Sequence, residues 1–409
     1  MASKKVSKVK TKSRPASSAT ISQPVVEDST LQTSLSAFSR DAHLFAYVAL
    51  SVDKHRLRVY NTASGQALAD YTLDDSRVSH LSWGTFNFSD SPNPVPESPS
   101  KKKRKKWSSI TPSDAQSVGI EVIILGLSDG SIAFYSPTHG RVIRTLSHPS
   151  SSTAVLAVVS ADQSSVWSSS EDGIVRCWDI QKNDILDTWK TEDRIPYTSL
   201  STRPSAEDGR TDLLAAHHSI KLLSRNLDAS AVSSKKPKQI ASFTGHASSI
   251  TLTRWANQQS PPDRFISMAQ GDRFLYVWSV EDGLESEAKA SASIPLDSDA
   301  RTFSISKTSP TLVALSASGK ISIYPIPEEL NPPAATSRIS HKLSTLLPRS
   351  NITAASKNSA SSNPLINVAF SSTDTTTVTV ARLAKGIRPV FTSIVSLPGL
   401  ASRIMLTNP

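Results

Sequence analysis

Two groups of residues in this chain have types that can do chemistry. One is His148 with Ser169, Asp172 and Trp178; the other is His246 with Ser267, Asp272 and Trp278. A histidine poised to move a proton is the first reading of each. Against it stands recurrence, because residues of these types return at a fixed period along the chain, which marks structure and not a single active centre. Recognised catalytic and cofactor motifs are missing too. The sequence has no G-x-G-x-x-G, no P-loop, no H-E-x-x-H and no G-x-S-x-G. His217-His218 resembles a metal pair, but neighbours on a strand point to opposite faces, so both are read as turn residues. Asp297 and Asp299 can share a face, yet no partner motif accompanies them. The expectation is a chain that is not an enzyme, with no catalytic residue, metal, cofactor or small-molecule substrate.

A different chemistry is offered by Lys101, Lys102, Lys103, Arg104, Lys105 and Lys106. The run is either a solvated charge cluster in a loop or a nuclear import signal or RNA contact; six consecutive cations repel one another and are uncommon in a loop that only joins strands, which favours import or RNA contact. Ser91-Pro92 and Ser98-Pro99 flank the run, and phosphate there would partly neutralise it. Trp107 beside it is either a base-stacking partner or an anchor for the loop. The net charge is +10, and the first fourteen residues hold six more cations: Lys4, Lys5, Lys8, Lys10, Lys12 and Arg14. With these two clusters set aside the remainder is near neutral, which argues against a broad nucleic-acid platform on the folded body.

The elements that position these residues are read from a repeated segment: a small or acidic turn, an alternating apolar strand, and an aromatic near its end. It occurs at His55–Asn61, Gly130–Ser136, Gly173–Asp179, His218–Ser224, Arg273–Ser279 and Gly319–Pro325. Alternation over such short stretches marks half-buried strands. The aromatic slot falls at 60, 135, 178, 223, 278 and 324, with Leu223 standing in once. The intervals are 43 to 55 residues, except a first one of 75 that contains a Pro- and Lys-rich insertion at 87–118. A period near 40–45 with four strands per unit is WD-repeat spacing. In WD repeats a buried histidine, a strand Ser or Thr, a turn Asp and the Trp form a hydrogen-bonded ladder. The ladder satisfies an indole N–H and a carboxylate that are both out of water. His148, Ser169, Asp172 and Trp178 are expected to form one such ladder, and His246, Ser267, Asp272 and Trp278 another. A fainter seventh unit is read at 365–371, 375–383 and 387–395. Its outer strand comes either from residues 403–407 or from residues before Leu35. The fold class is therefore all-β, a seven-bladed WD-repeat β-propeller.

Around it, residues 1–30 read as a disordered basic tail and 31–409 as the propeller, with inserted loops at 87–118 and 327–364. A third, shorter polar loop is read at 225–237. No apolar run approaches the roughly 20 residues that cross a bilayer, and no apolar stretch follows the Lys-rich start as a secretory signal requires. One cysteine, Cys177, excludes an internal disulfide and C-x-x-C motifs, which suits a reducing, intracellular compartment.

Three blocks carry a family resemblance: Leu213-Leu214-Ala215-Ala216 with Ser219-Ile220-Lys221-Leu222 and Ile240 to Ala247; Gly386 to Phe391; and Phe45 to Leu50 with Arg56 to Asn61. Together they resemble the WD-repeat proteins of the small-subunit processome over roughly residues 35–395. The resemblance implies a nucleolar scaffold of the transcription-coupled subcomplex, which supports pre-rRNA transcription and 18S rRNA processing. Its implied partners are other WD-repeat processome proteins and the 5′ external transcribed spacer of pre-rRNA. Family members continue into a helical C-terminal domain, whereas this chain stops at Pro409; it is either truncated or assembles without that domain. A nuclear adaptor for a ubiquitin ligase or chromatin complex is the competing expectation.

Overall fold

The computed structural model describes residues 33–50, 54–73, 76–88, 119–190, 194–204, 210–226, 238–256, 262–280, 287–327, 343–353, 364–371, 377–384, 388–395 and 403–405. They form seven sheets, each built on a meander of four antiparallel strands, with a short fifth strand added in parallel to two of them. Blade one is Ser36–Phe38, Leu44–Leu50, His55–Asn61 and Ala67–Leu73; blade two is Val78–Phe86, Ile120–Leu127, Ile132–Ser136 and Arg141–Leu146. Blade three is Val155–Ser160, Ser165–Ser170, Ile174–Asp179 and Asp184–Lys190; blade four is Ser199–Pro204, Arg210–Ala216, Ile220–Asn226 and Lys238–Phe243. Blade five is Ile250–Trp255, Arg264–Ala269, Phe274–Ser279 and Ala292–Pro295; blade six is Ala300–Ile305, Thr311–Ser316, Lys320–Pro325 and Ser350–Thr353. Blade seven is Leu365–Phe370, Thr377–Ala384, Arg388–Val395 and Arg403–Met405. The protein is a seven-bladed β-propeller.

Composition dictates each strand's place. A blade has neighbours on both faces, so its middle strands must be apolar on both, as in Val-Ile-Ile-Leu of 122–125 and Leu-Val-Ala-Leu of 312–315, all buried. Outer strands meet water, and Asp184–Lys190 alternates exposed and half-buried along its length. The buried apolar residues fall into seven clusters, one at each seam between adjacent blades. The closing seam joins Phe45, Tyr47 and Tyr60 of blade one to Ile366, Ala381, Leu383 and Phe391 of blade seven. Phe45 meets Phe391 edge-on, with ring centroids 5.5 Å apart.

The inner strands are also tied by side chains that donate to the neighbouring strand's carbonyls. Ser79 Oγ donates to Val155 O (2.7 Å), Thr202 Oγ1 to Ser160 O (2.6 Å), Thr198 Oγ1 to Ile250 O (2.5 Å) and Trp83 Nε1 to Ala37 O (3.0 Å). Asn367 Nδ2 donates to Ser36 O at 3.0 Å and closes the ring between blades seven and one. On one mouth of the ring Lys307 of blade six donates to the Arg40 carbonyl and lies 3.6 Å from Asp41, while the Arg40 amide donates to Glu121 of blade two.

The structure resolves the choice left open for the last blade. Its outer strand is Arg403–Met405, and the segment before blade one enters that blade's own inner strand at Ser36. Among the described residues no blade mixes strands from both ends of the chain, so closure there runs through faces and side chains. One boundary is corrected. The stretch 327–364, whose Pro- and Ser-rich composition reads as an insertion, supplies Ser344–Thr345, a strand added to blade five, and Ser350–Thr353, the outer strand of blade six. Residues 1–30 and all of 87–118 beyond its first two residues lie outside the described residues.

Turns between second and third strands place glycine at positive φ, and in blade three the turn also meets the chain leading into the following blade. Gly173 has φ +73°, and a Cβ on it would lie 2.6 Å from the Arg194 carbonyl; Gly271 has the same φ with nothing within 4 Å. Gly271→Ala should therefore cost about 1 kcal/mol for backbone strain alone. Gly173→Ala should cost about 2 kcal/mol more, because the chain leading into the next blade must also move. Urea unfolding of the pair reads the difference; equal midpoints would remove the proposed close packing.

Candidate functional site

The ladder of the fifth unit is assembled across four segments. Gly245-His246 precedes the inner strand of blade five, Ser267 lies on the second strand, Asp272 in the turn and Trp278 on the third strand. Pairing of Phe265 with Trp278 and Ser267 with Tyr276 places all four on one face. His246 Nδ1 lies 2.7 Å from Asp272 Oδ2 and its Nε2 2.7 Å from Ser267 Oγ, which also accepts Trp278 Nε1–H at 2.7 Å. An Asp–His–Ser chain of this geometry has the connectivity of a hydrolase triad. Its surroundings prevent that use: Ser267, the His246 side chain and Trp278 are all fully buried. Phe243, Trp255 and Phe265 pack around the indole, and the serine oxygen already holds the indole proton. The arrangement joins the second and third strands of blade five to the loop arriving from blade four.

The third unit is built differently, and the expectation for His148 and Ser169 is corrected. His148 is exposed, and its Nδ1 pairs with Ser150 Oγ at 2.8 Å. Ser169 lies opposite Val175, on the face away from Trp178, and donates to Tyr197 O at 2.7 Å. The indole of Trp178 instead donates to Ser168 Oγ at 2.8 Å. Ser168 and Ser169 are adjacent and so point to opposite faces of the strand, and the pairing with the third strand decides which of them shares a face with the indole. The histidine's place is taken by Arg176, fully buried, whose Nη2 reaches Asp172 Oδ2 (3.0 Å) and Ser150 O (2.8 Å), and whose Nη1 reaches Ser170 Oγ (3.0 Å). The sequence held a signal for it. Arg176 stands two residues before Trp178 and so shares its buried face, where a charge requires an acid, and Asp172 is four residues upstream. Arg58 repeats the pattern two residues before Tyr60, reaching Asp70 at 3.3 Å and the Tyr47 hydroxyl at 3.3 Å.

The remaining candidates are separated. Asp297 accepts from Ser318 Oγ at 2.7 Å, and Asp299 faces Arg273 at 3.7 Å. His217 and His218 lie in a turn, as read from the sequence, and since they are not on a strand the alternation of faces does not separate them: their rings meet at 4.2 Å. Among the described residues no group of three or more His, Cys, Asp or Glu is placed to hold a metal ion. No helix of the described residues is long and apolar enough to cross a membrane. The run Lys101 to Lys106, with Trp107 and the two Ser-Pro pairs, lies outside the described residues. It is carried between Phe88 and Gly119, in the connection from the first to the second strand of blade two.

Burial sets the protonation of the inner histidines. His80, on the inner strand of blade two, is held at about 4 by burial, against a hydrogen bond to the Val158 backbone that acts in the other direction. Burial also lowers His246, again outweighing its Asp272 partner. In the unfolded chain both take up protons near 6.5. The folded state is therefore favoured fully above that value and loses stability as pH falls toward 4. The urea midpoint is expected to drop between pH 7 and 4.5, and the drop to shrink in His80→Gln. A drop of the same size in that variant would show that His80 is not its source. Ser267→Ala, which strands the Trp278 N–H and a histidine nitrogen, should cost about 2–3 kcal/mol, whereas His148→Ala should cost under about 0.5. Equal costs would contradict the two geometries.

No protein-family profile matches the chain. It is 22% identical over 289 residues to the U3 small nucleolar RNA-associated protein 5 of Saccharomyces cerevisiae (strain ATCC 204508 / S288c). The match takes in 71% of this chain but only 39% of that protein, so the chain spans well under half of its relative's length. Among solved structures it superposes on a chain of the mitotic checkpoint complex with a TM-score of 0.56 and 15% identity, covering 88% of this chain and 90% of that one. The second likeness is one of fold. The chain is a seven-bladed β-propeller with a distant sequence likeness to a U3 small nucleolar RNA-associated protein.

Proposed function

We propose that the protein is a non-catalytic scaffold of nucleolar ribosome biogenesis, working within the small-subunit processome to support pre-rRNA transcription and 18S rRNA processing. The observation that carries this reading is the similarity to a U3 small nucleolar RNA-associated protein over 289 residues. The buried ladders add to it, since their polar groups serve the sheets and leave no nucleophile open to a substrate. A rigid ring with variable connections suits a protein that holds others in place. The partners in this reading are sister WD-repeat proteins and the 5′ external transcribed spacer. The basic run Lys101 to Lys106 provides nuclear import or phosphate contact.

Topology fixes the face of the ring at which the two strand ends flanking that run, Phe86 and Ile120, lie. Strands alternate, so connections from first to second and third to fourth strands leave on one face of the ring, and the others leave on the opposite face. Segments 89–118, 227–237 and 328–342 all join strands of the first kind. In this reading RNA or an import receptor approaches that face.

Crosslinking followed by RNA sequencing tests the assignment. Reads concentrated in the 5′ spacer are expected, and replacing residues 101–106 by alanine should reduce them, or nuclear accumulation, at least several-fold. Absence of pre-rRNA reads, with a ligase or histone complex co-purifying instead, would favour a nuclear adaptor. Unchanged import and unchanged crosslinking in the alanine variant would remove the role given to the basic run.

A further inference from the structure

The outer strands of blades one to four share a local irregularity. In each, one extra residue bulges out of the pairing with the third strand: Leu68, Ile143, Leu186 and Ile240. All four are large aliphatics, but their surroundings differ. Ile240 is half-buried in the cluster that contains Ala288, and Ala288 belongs to a two-residue fifth strand, Glu287–Ala288, lying parallel against Ser242 and Phe243. Blade five is covered in the same way, by Ser344–Thr345 lying parallel to Ala292 and Ser293, with the Leu346 amide continuing to Ser293 O. In both blades the covering strand comes from the connection between the third and fourth strands of the next blade.

Blade three has no such cover among the described residues. Leu186 is 50% exposed. Two amides of its outer strand donate to the carboxylate of the residue before them: Asp184 Oδ1 accepts from Ile185 N and Asp187 Oδ1 from Thr188 N, both at 2.8 Å. Unpaired strand edges attract another strand, and these carboxylates make this one acidic. The other edges are less open. Blade one has Leu68 49% exposed, but its Asp70, at the position matching Thr188, lies under Arg56 and Arg58 at 3.0 and 3.3 Å. In blade two Ile143 packs into the seam cluster, and the neighbouring Arg144 donates to Gln181 O.

We propose that the outer edge of blade three, Asp184–Lys190, docks an extended segment of a partner polypeptide as a fifth, parallel strand. The segment would place a small or aliphatic residue over Leu186 and basic residues beside Asp184 and Asp187, replacing the carboxylates as partners of the edge amides. Two neighbouring blades already display this mode of covering within the chain. The proposal rests on the scaffold reading for its biological setting, but its chemistry can be tested apart from it.

The probe is a fluorescein-labelled peptide, Lys-Thr-Val-Lys-Ala-Lys, titrated into the full chain and followed by anisotropy. Saturable binding is expected, weakened at least tenfold by Leu186→Asp, by glutamate in place of the peptide lysines, and by N-methylation of the peptide backbone. Leu68→Asp should leave it unchanged. Benzoylphenylalanine at position 188 should capture the peptide. Leu186 is half-exposed, so Leu186→Asp should keep the parent's melting curve, and a melted variant is replaced by the N-methylated peptide as the control. Binding indifferent to Leu186→Asp and to N-methylation would overturn the proposal, as would capture of the chain's own residues at position 188 in place of the peptide. Peptide binding with no pre-rRNA crosslinks would retain the docking edge and remove only the nucleolar role.

Discussion

A ring of separate four-stranded sheets has one physical problem, which is that every sheet ends at the centre in an unpaired inner strand. Here the backbone carbonyls of those strands are taken up by hydroxyl, indole and amide groups of the adjoining blade, from Ser79, Thr198, Thr202, Trp83 and Asn367. Orphaned buried carbonyls are costly, so each of these bonds fixes the relative position of two blades as well as satisfying an acceptor. Apolar seams supply the bulk of the attraction, and the inner ties set the register in which the seams meet. The first and seventh blades come from opposite ends of the chain, and Asn367 with the Phe45–Phe391 contact is what joins them.

The ladders solve the same problem one layer further out. A tryptophan large enough to fill a seam brings a buried N–H with it, and each blade must find that proton an acceptor. Blade five uses Ser267 backed by His246 and Asp272, while blade three uses Ser168 and leaves Asp172 to Arg176. Two different polar sets support the same indole position. That interchangeability is what a structural role allows, since a catalytic role would demand one set of groups in one geometry.

Much of this was legible in the sequence because the repeat is periodic. The aromatic slots, the acidic turns and the alternation of Ile321-Ser322-Ile323-Tyr324 mark strands at regular intervals, and those intervals give the architecture. What was not legible depended on register or on very short elements. Ser168 and Ser169 cannot be told apart by counting, since turns differ in length by a residue between units and a shift of one reverses the face. Ser344–Thr345 and Glu287–Ala288 are two-residue strands in polar stretches, too short to show any alternation. The bulged aliphatics were visible as apolar residues on outer strands, but only the pairing shows that they share one structural position. The basic run stood out by charge alone, and its topological place, between the first two strands of blade two, required the structure.

The dependence of the ring on its inner ties is most directly measured by hydrogen exchange with mass spectrometry on Asn367→Ala. Faster exchange is predicted in Ser36–Phe38 and Leu365–Phe370, with the middle strands of blades three to five as protected as in the parent. Unchanged protection at the first and last blades, or an equal loss around the whole ring, would contradict closure through that contact.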